Sequence, residues 1–272
     1  MTGVDRAATL IVTRPAQDAG TLIEALRDHG RSVVALPVLA IEPAEDPTLL
    51  ASTLAHIADY RLVVFVSPNA IRQSLAQRDA PWPVETVIGV MGPGSVDALA
   101  QLGIAAPARR VVSPADGVGQ GERFDSEALF AALDATLGMT RGFDGRVLIL
   151  RGNGGRAWLA DRLRALDIAV DEVAAYRRVR PTADAEATRA LQELFTSRAP
   201  AVFIVTSSEG IANLVTIVEE ALAGDARAVR SWLFASRILA PHRRIVEKAR
   251  ETGFSAVSLC APGDRGIVAA IE

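Results

Sequence analysis

Short apolar runs alternate with amphipathic stretches along most of the chain. The run TLIV at 9–12 precedes a stretch in which Leu22 and Leu26 recur at the spacing of one helix face. The same two patterns return at 147–150 and 158–166. Such an alternation is typical of α/β proteins with parallel sheets. The apolar runs predict strands at 9–12, 33–36, 62–66, 86–90, 147–150, 170–173, 202–205, 238–240 and 256–259.

The two halves of the chain resemble each other. The segment LIVTRPAQDAGTLIEALRDHGRSV overlies VLILRGNGGRAWLADRLRALDIAV without a gap, which places Arg14 on Arg151. Farther along, VFVSPNAI matches IVTSSEGI in the same order. We therefore predict an internal duplication over about 1–130 and 140–272. The expected fold is α/β, with two similar lobes that each contain a parallel sheet flanked by helices.

A distinctive loop follows almost every predicted strand. In open parallel sheets ligands bind outside the carboxyl ends of the strands, and a crevice between two lobes is a favoured ligand site. We therefore expect these loops to form a surface for an extended polyanion. Each loop alone also fits a simpler role at a helix start, where Ser and Asn cap amides and Pro is tolerated. The candidate binding residues are Arg14, Pro15, Ser67, Asn69, Gly92, Pro93, Ser95, Arg151, Gly152, Asn153, Gly155, Arg156, Ser207, Ser208 and His242.

The loop RGNGGR at 151–156 joins a predicted strand to a predicted helix. It lacks the third glycine of a dinucleotide fingerprint and the lysine of a phosphate loop, so both nucleotide fingerprints fail. A helix N-terminus still offers backbone amides to any anion, and a tight connection without a ligand is the alternative. If the amides bind the anion, Gly155→Pro should weaken binding more than Arg156→Ala. Proline should be tolerated at 155, near the first helical position.

Composition narrows the class of protein. The chain has 272 residues, of which 50% are hydrophobic, and this favours two domains with sizeable aliphatic cores. Its formal net charge of −3 argues against nucleic acid as a partner. The single cysteine excludes an internal disulfide and a Cys-based zinc site, and the three histidines lack metal-ligand spacing. Because we find no membrane-span or signal-peptide pattern, we expect a cytoplasmic protein without a membrane partner.

Six short motifs run in order along the chain. They are TRP at 13–15, SPNA at 67–70, GPGS at 92–95, DSE at 125–127, RGNGGR at 151–156 and YRR at 176–178. In this order and spacing the sequence resembles the uroporphyrinogen-III synthase family. It departs from the family at Ser207-Ser208-Glu209, where many relatives have Ser-Pro-Ser, and in the stretch SPADGVGQGERF at 113–124, which is longer than usual.

The resemblance implies a discontinuous first domain, whereas duplication alone would place a domain boundary near residue 135. Domain 1 would comprise 1–37 and 178–272, and domain 2 would comprise 42–173. The segments 36–43 and 173–181 would be two antiparallel linkers, whose Pro and Arg content fits an exposed hinge. Closure of the lobes on a ligand is then expected.

The resemblance also implies the substrate and the reaction. The family's substrate is hydroxymethylbilane, a linear tetrapyrrole with an acetate and a propionate on each ring. The family removes the terminal hydroxyl as water and closes the ring with ring D inverted, through a spiro intermediate. The loops would hold carboxylates, and no cofactor, metal or covalent nucleophile is required. Tyr176 matches the tyrosine of the family's linker and is the candidate proton donor, with a packed linker tyrosine as the alternative.

Other classes of function stay open at this point. A non-catalytic bilobed binding protein for an anionic ligand would share the lobes and the hinge. A nucleotide-dependent transferase or reductase is opposed by the failed fingerprints. In the family interpretation the protein is a monomeric hydro-lyase that acts on a small molecule. It would contact the preceding enzyme of the pathway transiently.

Overall fold

The chain divides into two compact units. Unit 1 consists of Met1–Ala40 and Val179–Glu272, and unit 2 consists of Ile41–Arg178. The computed structural model describes residues 5–76, 78, 80–104, 109–114 and 124–272. The long stretch at 113–124, noted above as a departure from the family, therefore lies mostly outside the described residues.

The predicted apolar runs all form strands. The described strands are β1 (Thr9–Val12), β2 (Val33–Ala35), β3 (Ala40–Pro43), β4 (Tyr60–Phe65), β5 (Val87–Val90), β6 (Val111–Val112), β7 (Arg146–Gly152), β8 (Val170–Val179), β9 (Ala201–Ile204), β10 (Arg237–Ala240) and β11 (Ala256–Leu259). The sequence pattern does not predict β3 and β6. β3 has the sequence AIEP, with one large apolar residue, and β6 has two residues, so neither forms an apolar run.

Helices connect the strands, and several begin at a polar cap. The described helices are α1 (Ala16–Asp28), α2 (Pro47–Ala55), α3 (Pro68–Leu75), α4 (Pro93–Gln101), α5 (Ser126–Leu137), α6 (Trp158–Arg164), α7 (Ala185–Ser197), α8 (Ser208–Leu222), α9 (Ala226–Ala235), α10 (Arg243–Thr252) and α11 (Gly263–Ala269). The carboxylates of Asp46, Asp125 and Asp184 accept N–H groups in the first turns of α2, α5 and α7. Among these helices, none is both long and apolar enough to span a bilayer.

Unit 1 is built on a parallel sheet with the strand order β11-β10-β9-β1-β2. Alternate residues of its strands enter two separate cores. Leu10 and Val12 pack with α1 and α11, whereas Ile11 packs with α7 to α10. Both faces of the sheet are covered, and for that reason its strands are continuous apolar runs in the sequence.

Unit 2 repeats this plan with the strand order β3-β8-β7-β4-β5-β6. The pairs from β8 to β6 are parallel. Val63 and Phe65 pack with α2, α3 and α4, whereas Leu62 and Val64 pack with α5 and α6. The predicted fold class, two similar α/β lobes with parallel sheets flanked by helices, is confirmed.

The internal duplication is visible in the strand registers. Leu10 pairs with Val33 in unit 1 as Val147 pairs with Val170 in unit 2. The order β2-β1-β9-β10-β11 of unit 1 recurs in unit 2 as β8-β7-β4-β5-β6. Each sheet therefore combines a strand pair from one half of the chain with strands from the other half, which are three in unit 1 and four, with β3, in unit 2.

The two segments expected to form an exposed hinge are partly buried. Leu36 and Val38 are 0% and 1% exposed and belong to a core of unit 1. The segment after Val173 continues β8, which pairs with β7 as far as Tyr176 and has β3 as its other neighbour. Arg177, Arg178 and Arg180 are exposed, whereas apolar residues in both segments pack into the cores.

Candidate active site

A cavity of about 140 Å³ lies in unit 2 at the end of β7 and along β8. Its walls come from the loop 151–156 and from Glu172, Tyr176 and Arg178 of β8, with Ser126 at the start of α5. The place agrees with the rule that ligands bind outside the carboxyl ends of parallel strands. At roughly 30 Å³ for each water, the space suits one carboxylate-sized group and a little solvent, not a whole tetrapyrrole.

The hydroxyl of Tyr176 is fixed at the wall of this cavity. The residue is 1% exposed, and its oxygen lies 3.1 Å from Oγ of Ser67. Nη2 of Arg178 donates to the same phenol oxygen at 3.3 Å, and the guanidinium lies 5.9 Å from the ring centroid. With Arg178 as donor, the phenol's own proton is available to Ser67 or to a group in the cavity.

Ser67 is held in place by its role at the start of α3. Its Oγ accepts the N–H of Ala70 at 3.2 Å and so caps the helix. A capping hydroxyl has a fixed position, because it is bound to the backbone of a packed helix. Ser67 therefore gives the Tyr176 hydroxyl a rigid neighbour.

Gly152 is needed for the position of the Tyr176 ring. The register of β7 and β8 shifts between Arg151 and Gly152, which pairs Gly152 with Tyr176. A Cβ at residue 152 would lie 2.7 Å from Cζ of Tyr176 and 3.0 Å from its hydroxyl oxygen. No side chain fits there unless the ring moves. The glycine was expected to bind substrate, and in the structure it also makes room for the tyrosine.

Asn153 ties the loop to β8. Its backbone N–H donates to the carbonyl of Tyr176 at 3.0 Å, and its side-chain Oδ1 accepts the N–H of Arg178 at 2.7 Å. The first polar groups of the glycine-rich loop thus bind their own chain. They are not an open cradle for an anion.

The arginines of the site differ in exposure and in how closely they are paired with a carboxylate. Arg151 forms a 2.6 Å ion pair with Glu172, which also lies 3.0 Å from Arg164. Arg156 is 73% exposed, and its ion pair with Glu127 is stretched to 4.0 Å. Arg156 is therefore better placed than Arg151 to meet an incoming carboxylate.

The expectation about proline at residue 155 is wrong. Gly155 has φ of +103°, which proline cannot adopt. Gly155 also lies three residues before α6, which starts at Trp158 as the pattern at 158–166 predicts, so it is not near the first helical position. Gly155→Pro would therefore disturb the loop itself and cannot measure the contribution of one amide to anion binding.

Other predicted residues of unit 2 have structural surroundings. Ser95 is 3% exposed and lies in the first turn of α4. A Cβ at Gly92 would lie 2.8 Å from Cδ1 of Phe124, and Pro93 is the first residue of α4. The side-chain oxygen of Asn69 accepts a hydrogen bond from Arg72.

The remaining predicted residues belong to unit 1. Arg14 forms an ion pair with Asp264 at 2.5 Å, and Pro15 immediately precedes α1. Ser207 caps α8 as Ser67 caps α3. The last two are Ser208, whose buried Oγ has no hydrogen-bond partner among the described residues, and His242, which is exposed at the start of α10.

No group of three or more His, Cys, Asp and Glu side chains in the described part of the chain is arranged to hold a metal ion. The single cysteine, Cys260, lies in unit 1, and burial raises the pKa of its thiol. A raised pKa keeps the thiol protonated and makes it a poor nucleophile.

Comparison with known proteins identifies the family. The family model described as uroporphyrinogen-III synthase HemD matches residues 20–262, which is most of the chain. The chain belongs to the uroporphyrinogen-III synthase family. The resemblance seen in the sequence motifs is thereby confirmed.

Relatives within the uroporphyrinogen-III synthase family match over nearly their whole length. The uroporphyrinogen-III synthases of Escherichia coli (strain K12) and Salmonella typhimurium (strain LT2) are 26% and 27% identical over 261 residues, covering 94% of this chain and 96% of each relative. A mutant uroporphyrinogen III synthase from the extremely thermophilic bacterium Thermus thermophilus has the same fold, with a TM-score of 0.52 and 17% identity, over 93% of this chain and 92% of the other. The Helicobacter pylori 26695 protein gives a TM-score of 0.53 at 12% identity, over 92% of each chain.

Two cavity residues of this uroporphyrinogen-III synthase family member are not among the predicted site residues. Glu172 and Arg178 line the cavity on β8 together with Tyr176. The signal was present, since residues at even positions of a strand share one face. If 173–181 is treated as part of a strand, Glu172 and Arg178 are predicted to lie on the same face as Tyr176.

Proposed function

We propose that the protein is an active uroporphyrinogen-III synthase. It converts hydroxymethylbilane to uroporphyrinogen III with loss of water, as a hydro-lyase that needs no cofactor. The observation that carries the proposal is the Tyr176 hydroxyl, which is held at a cavity wall between Ser67 and Arg178. Family membership and the names of the relatives support the choice of substrate.

In this proposal Tyr176 donates its proton to the terminal hydroxyl of the substrate. The carbon–oxygen bond breaks as the adjacent pyrrole nitrogen supplies the electron pair, and water leaves. The resulting azafulvene is attacked by the substituted carbon of ring D, which forms the spiro intermediate. Its fragmentation and reclosure invert ring D, and the proton released at the end returns to the Tyr176 oxygen. The pyrroles supply the electrons, so the protein contributes position and one proton.

Arg178 assists by its charge. When Tyr176 gives up its proton, its oxygen becomes negative on a residue that is only 1% exposed. A guanidinium already donating to that oxygen stabilises the charge without moving. Arg156 and the loop 151–156 face the same cavity and would hold one carboxylate arm of the substrate.

The test of the function is product analysis. Hydroxymethylbilane is incubated with the protein, and the isomers are separated after oxidation. We expect the isomer with ring D inverted, whereas closure in buffer alone gives the isomer with ring D unturned. If the protein binds the tetrapyrrole but the ratio of the two isomers stays as it is in buffer alone, the protein is the non-catalytic binding protein instead. Dialysis against a chelator should leave the turnover unchanged.

Tyr176→Phe tests the proton donor. The variant removes only the hydroxyl and keeps the packed ring, so it should fold normally. We expect kcat to fall by about 10²-fold or more, the usual size of a general-acid contribution. A fall of less than roughly threefold would mean that positioning alone carries the catalysis.

The proposal also covers the setting of the enzyme. We propose a cytoplasmic monomer that receives its small-molecule substrate through transient contact with the preceding enzyme of the pathway. Sedimentation with and without that enzyme would check both statements. A stable dimer of this chain would contradict the first.

A further inference from the structure

We propose that Gly152 and Asn153 are positioning residues for Tyr176, and that they act through the tyrosine without contacting the substrate's reacting atoms. This inference rests on the proposed function, because it concerns the proton donor of that reaction. It changes the role expected for the start of the glycine-rich loop. The sequence predicts that this segment binds an anion. In the structure Gly152 and Asn153 instead contact Tyr176 and Arg178 of β8.

Gly152 positions the ring of Tyr176 because it has no side chain. Tyr176 is 1% exposed, and its ring lies directly against the backbone of Gly152. The Cβ of an alanine at 152 would lie 2.7 Å from Cζ and 2.8 Å from Cε2 of the ring. Contacts that short do not persist in folded proteins, so the ring must tilt or β8 must move. Either change takes the hydroxyl away from Ser67, which lies 3.1 Å from it now.

Asn153 acts through the backbone of β8. Its N–H binds the carbonyl of Tyr176, and its Oδ1 binds the N–H of Arg178. The two bonds bracket Arg177 and fix the strand on both sides of it. Since the guanidinium of Arg178 donates to the Tyr176 hydroxyl, the same clamp sets the distance between the two side chains.

The first test follows the tyrosine ring directly. The chain contains two tyrosines, so incorporation of 3-fluorotyrosine gives two fluorine resonances, and Tyr176→Phe assigns one of them. We expect Gly152→Ala to shift the Tyr176 resonance and to leave that of Tyr60 in place. Gly20→Ala is the matched control, because Gly20 lies on an exposed face of α1 with open space around its Cα. An unmoved Tyr176 resonance would overturn the inference whatever the kinetics show.

The second test separates positioning from substrate binding. A displaced proton donor lowers kcat, whereas a lost substrate contact raises KM. We expect Gly152→Ala to lower kcat on the order of 10²-fold, the effect of a displacement near 1 Å, with KM within about twofold of the wild type. A higher KM with an unchanged kcat would return Gly152 to the substrate-binding residues.

A double variant shows whether the effect passes through the hydroxyl. If Gly152 acts only by placing that group, Gly152→Ala should cost nothing further in the Tyr176→Phe background. If the double variant lowers kcat by the product of the two single-variant factors, the alanine damages the site in another way. If the resonance moves while neither Gly152→Ala nor Tyr176→Phe lowers kcat, the proposed proton donor fails and the placement of the ring by Gly152 stands.

Asn153 allows rescue by a conservative change. Asn153→Ala removes the acceptor for Arg178 but leaves the backbone bond to Tyr176, and the exposed side chain is not needed for folding. We expect kcat to fall about threefold to tenfold, the rate equivalent of one hydrogen bond. Asn153→Asp keeps an oxygen in the same place and should restore kcat to within about twofold of the wild type. Equal losses in both variants would overturn the role of the Oδ1 acceptor.

Discussion

At the scale of single residues, the site depends on where side chains are absent as much as on where they are present. Tyr176 packs against the backbone of Gly152, and its hydroxyl meets Ser67 and Arg178. The contacts with Gly152 and Ser67 join residues that are distant in the sequence and lie on different elements. A sequence pattern can suggest that a tyrosine is important, but it does not show which glycine accommodates it.

Gly155 provides a residue-scale prediction about stability. Its φ of +103° is a conformation that side chains rarely adopt, and the space around its Cα is open. Gly155→Ala should therefore lower the free energy of unfolding by about 1–3 kcal/mol through backbone strain alone. Chemical denaturation of this variant beside the wild type measures the difference. Equal stabilities would mean that the loop can relax without cost.

Arg156 provides the matching prediction about binding. It is exposed and only loosely paired with Glu127, so its loss should leave stability within about 0.5 kcal/mol of the wild type. Arg156→Ala should raise KM severalfold with kcat unchanged, because a partly exposed charge–carboxylate contact is worth at most about 1 kcal/mol. Steady-state kinetics measures KM and kcat of the variant. An unchanged KM would place the substrate's carboxylate elsewhere.

At the scale of elements, the duplication supplies natural controls. Ser67 caps α3 in unit 2 and Ser207 caps α8 in unit 1, with cap distances of 3.2 Å and 3.4 Å. The two serines occupy equivalent places in the two halves. Only Ser67 has a tyrosine hydroxyl beside it.

The two cap variants should therefore differ in activity and agree in stability. Ser67→Ala and Ser207→Ala should each lower the free energy of unfolding by about 1 kcal/mol, the usual value of an N-cap. In addition, Ser67→Ala should lower kcat about threefold to tenfold by removing one hydrogen bond from Tyr176. Thermal unfolding and steady-state rates measure the two effects. Equal kcat losses in both variants would contradict the contact with Tyr176.

A second element-scale prediction concerns the pH dependence of stability. Burial raises the pKa of Tyr60 to about 12, helped by its hydrogen bond to Asp171 and by the negative charge of that residue. A raised folded-state pKa contributes stability that is complete below the unfolded value near 10 and is lost as the pH rises toward 12. The free energy of unfolding should fall over this range. In Tyr60→Phe the fall should be smaller, and an identical fall would exclude Tyr60 as its cause.

The elements themselves were largely predictable from the sequence. Strands buried on both faces leave continuous apolar runs, and runs such as Val147 to Leu150 identify β7. The Pro and Arg residues at the end of β8 favour a linker there, although Ala175 and Tyr176 are buried. The start of α6 at Trp158 agrees with the pattern at 158–166, and the expectation that Gly155 lies near the first helical position does not fit that pattern.

At the scale of the whole chain, the boundaries of the two compact units do not coincide with the boundary between the two duplicated halves. The first half, about 1–138, contains β1 and β2 but lacks the strands β9 to β11 beside which they lie. The segment Ile41–Arg178 contains almost all of the strand residues of its own sheet. Residues close in sequence thus belong to different cores.

Fragments of the chain test this division. We expect 41–178 expressed alone to unfold cooperatively, because both faces of its sheet keep their helices. The fragment 1–138 should show no cooperative transition, although it is of similar length. Circular dichroism melting curves compare the two. A cooperative 1–138 would mean that the halves, and not the units, are the folding domains.

The pairing of β1 with β9 has a consequence for the growing polypeptide. Thr13 binds the carbonyl of Ile204, a partner 191 residues later in the chain. At roughly 5–20 residues per second, a ribosome needs about 10–40 s to synthesise that interval. During this time the apolar run of β1 has left the exit tunnel and its inner neighbour does not yet exist. β1 is therefore synthesised well before β9, and it can take its place beside that strand only afterwards.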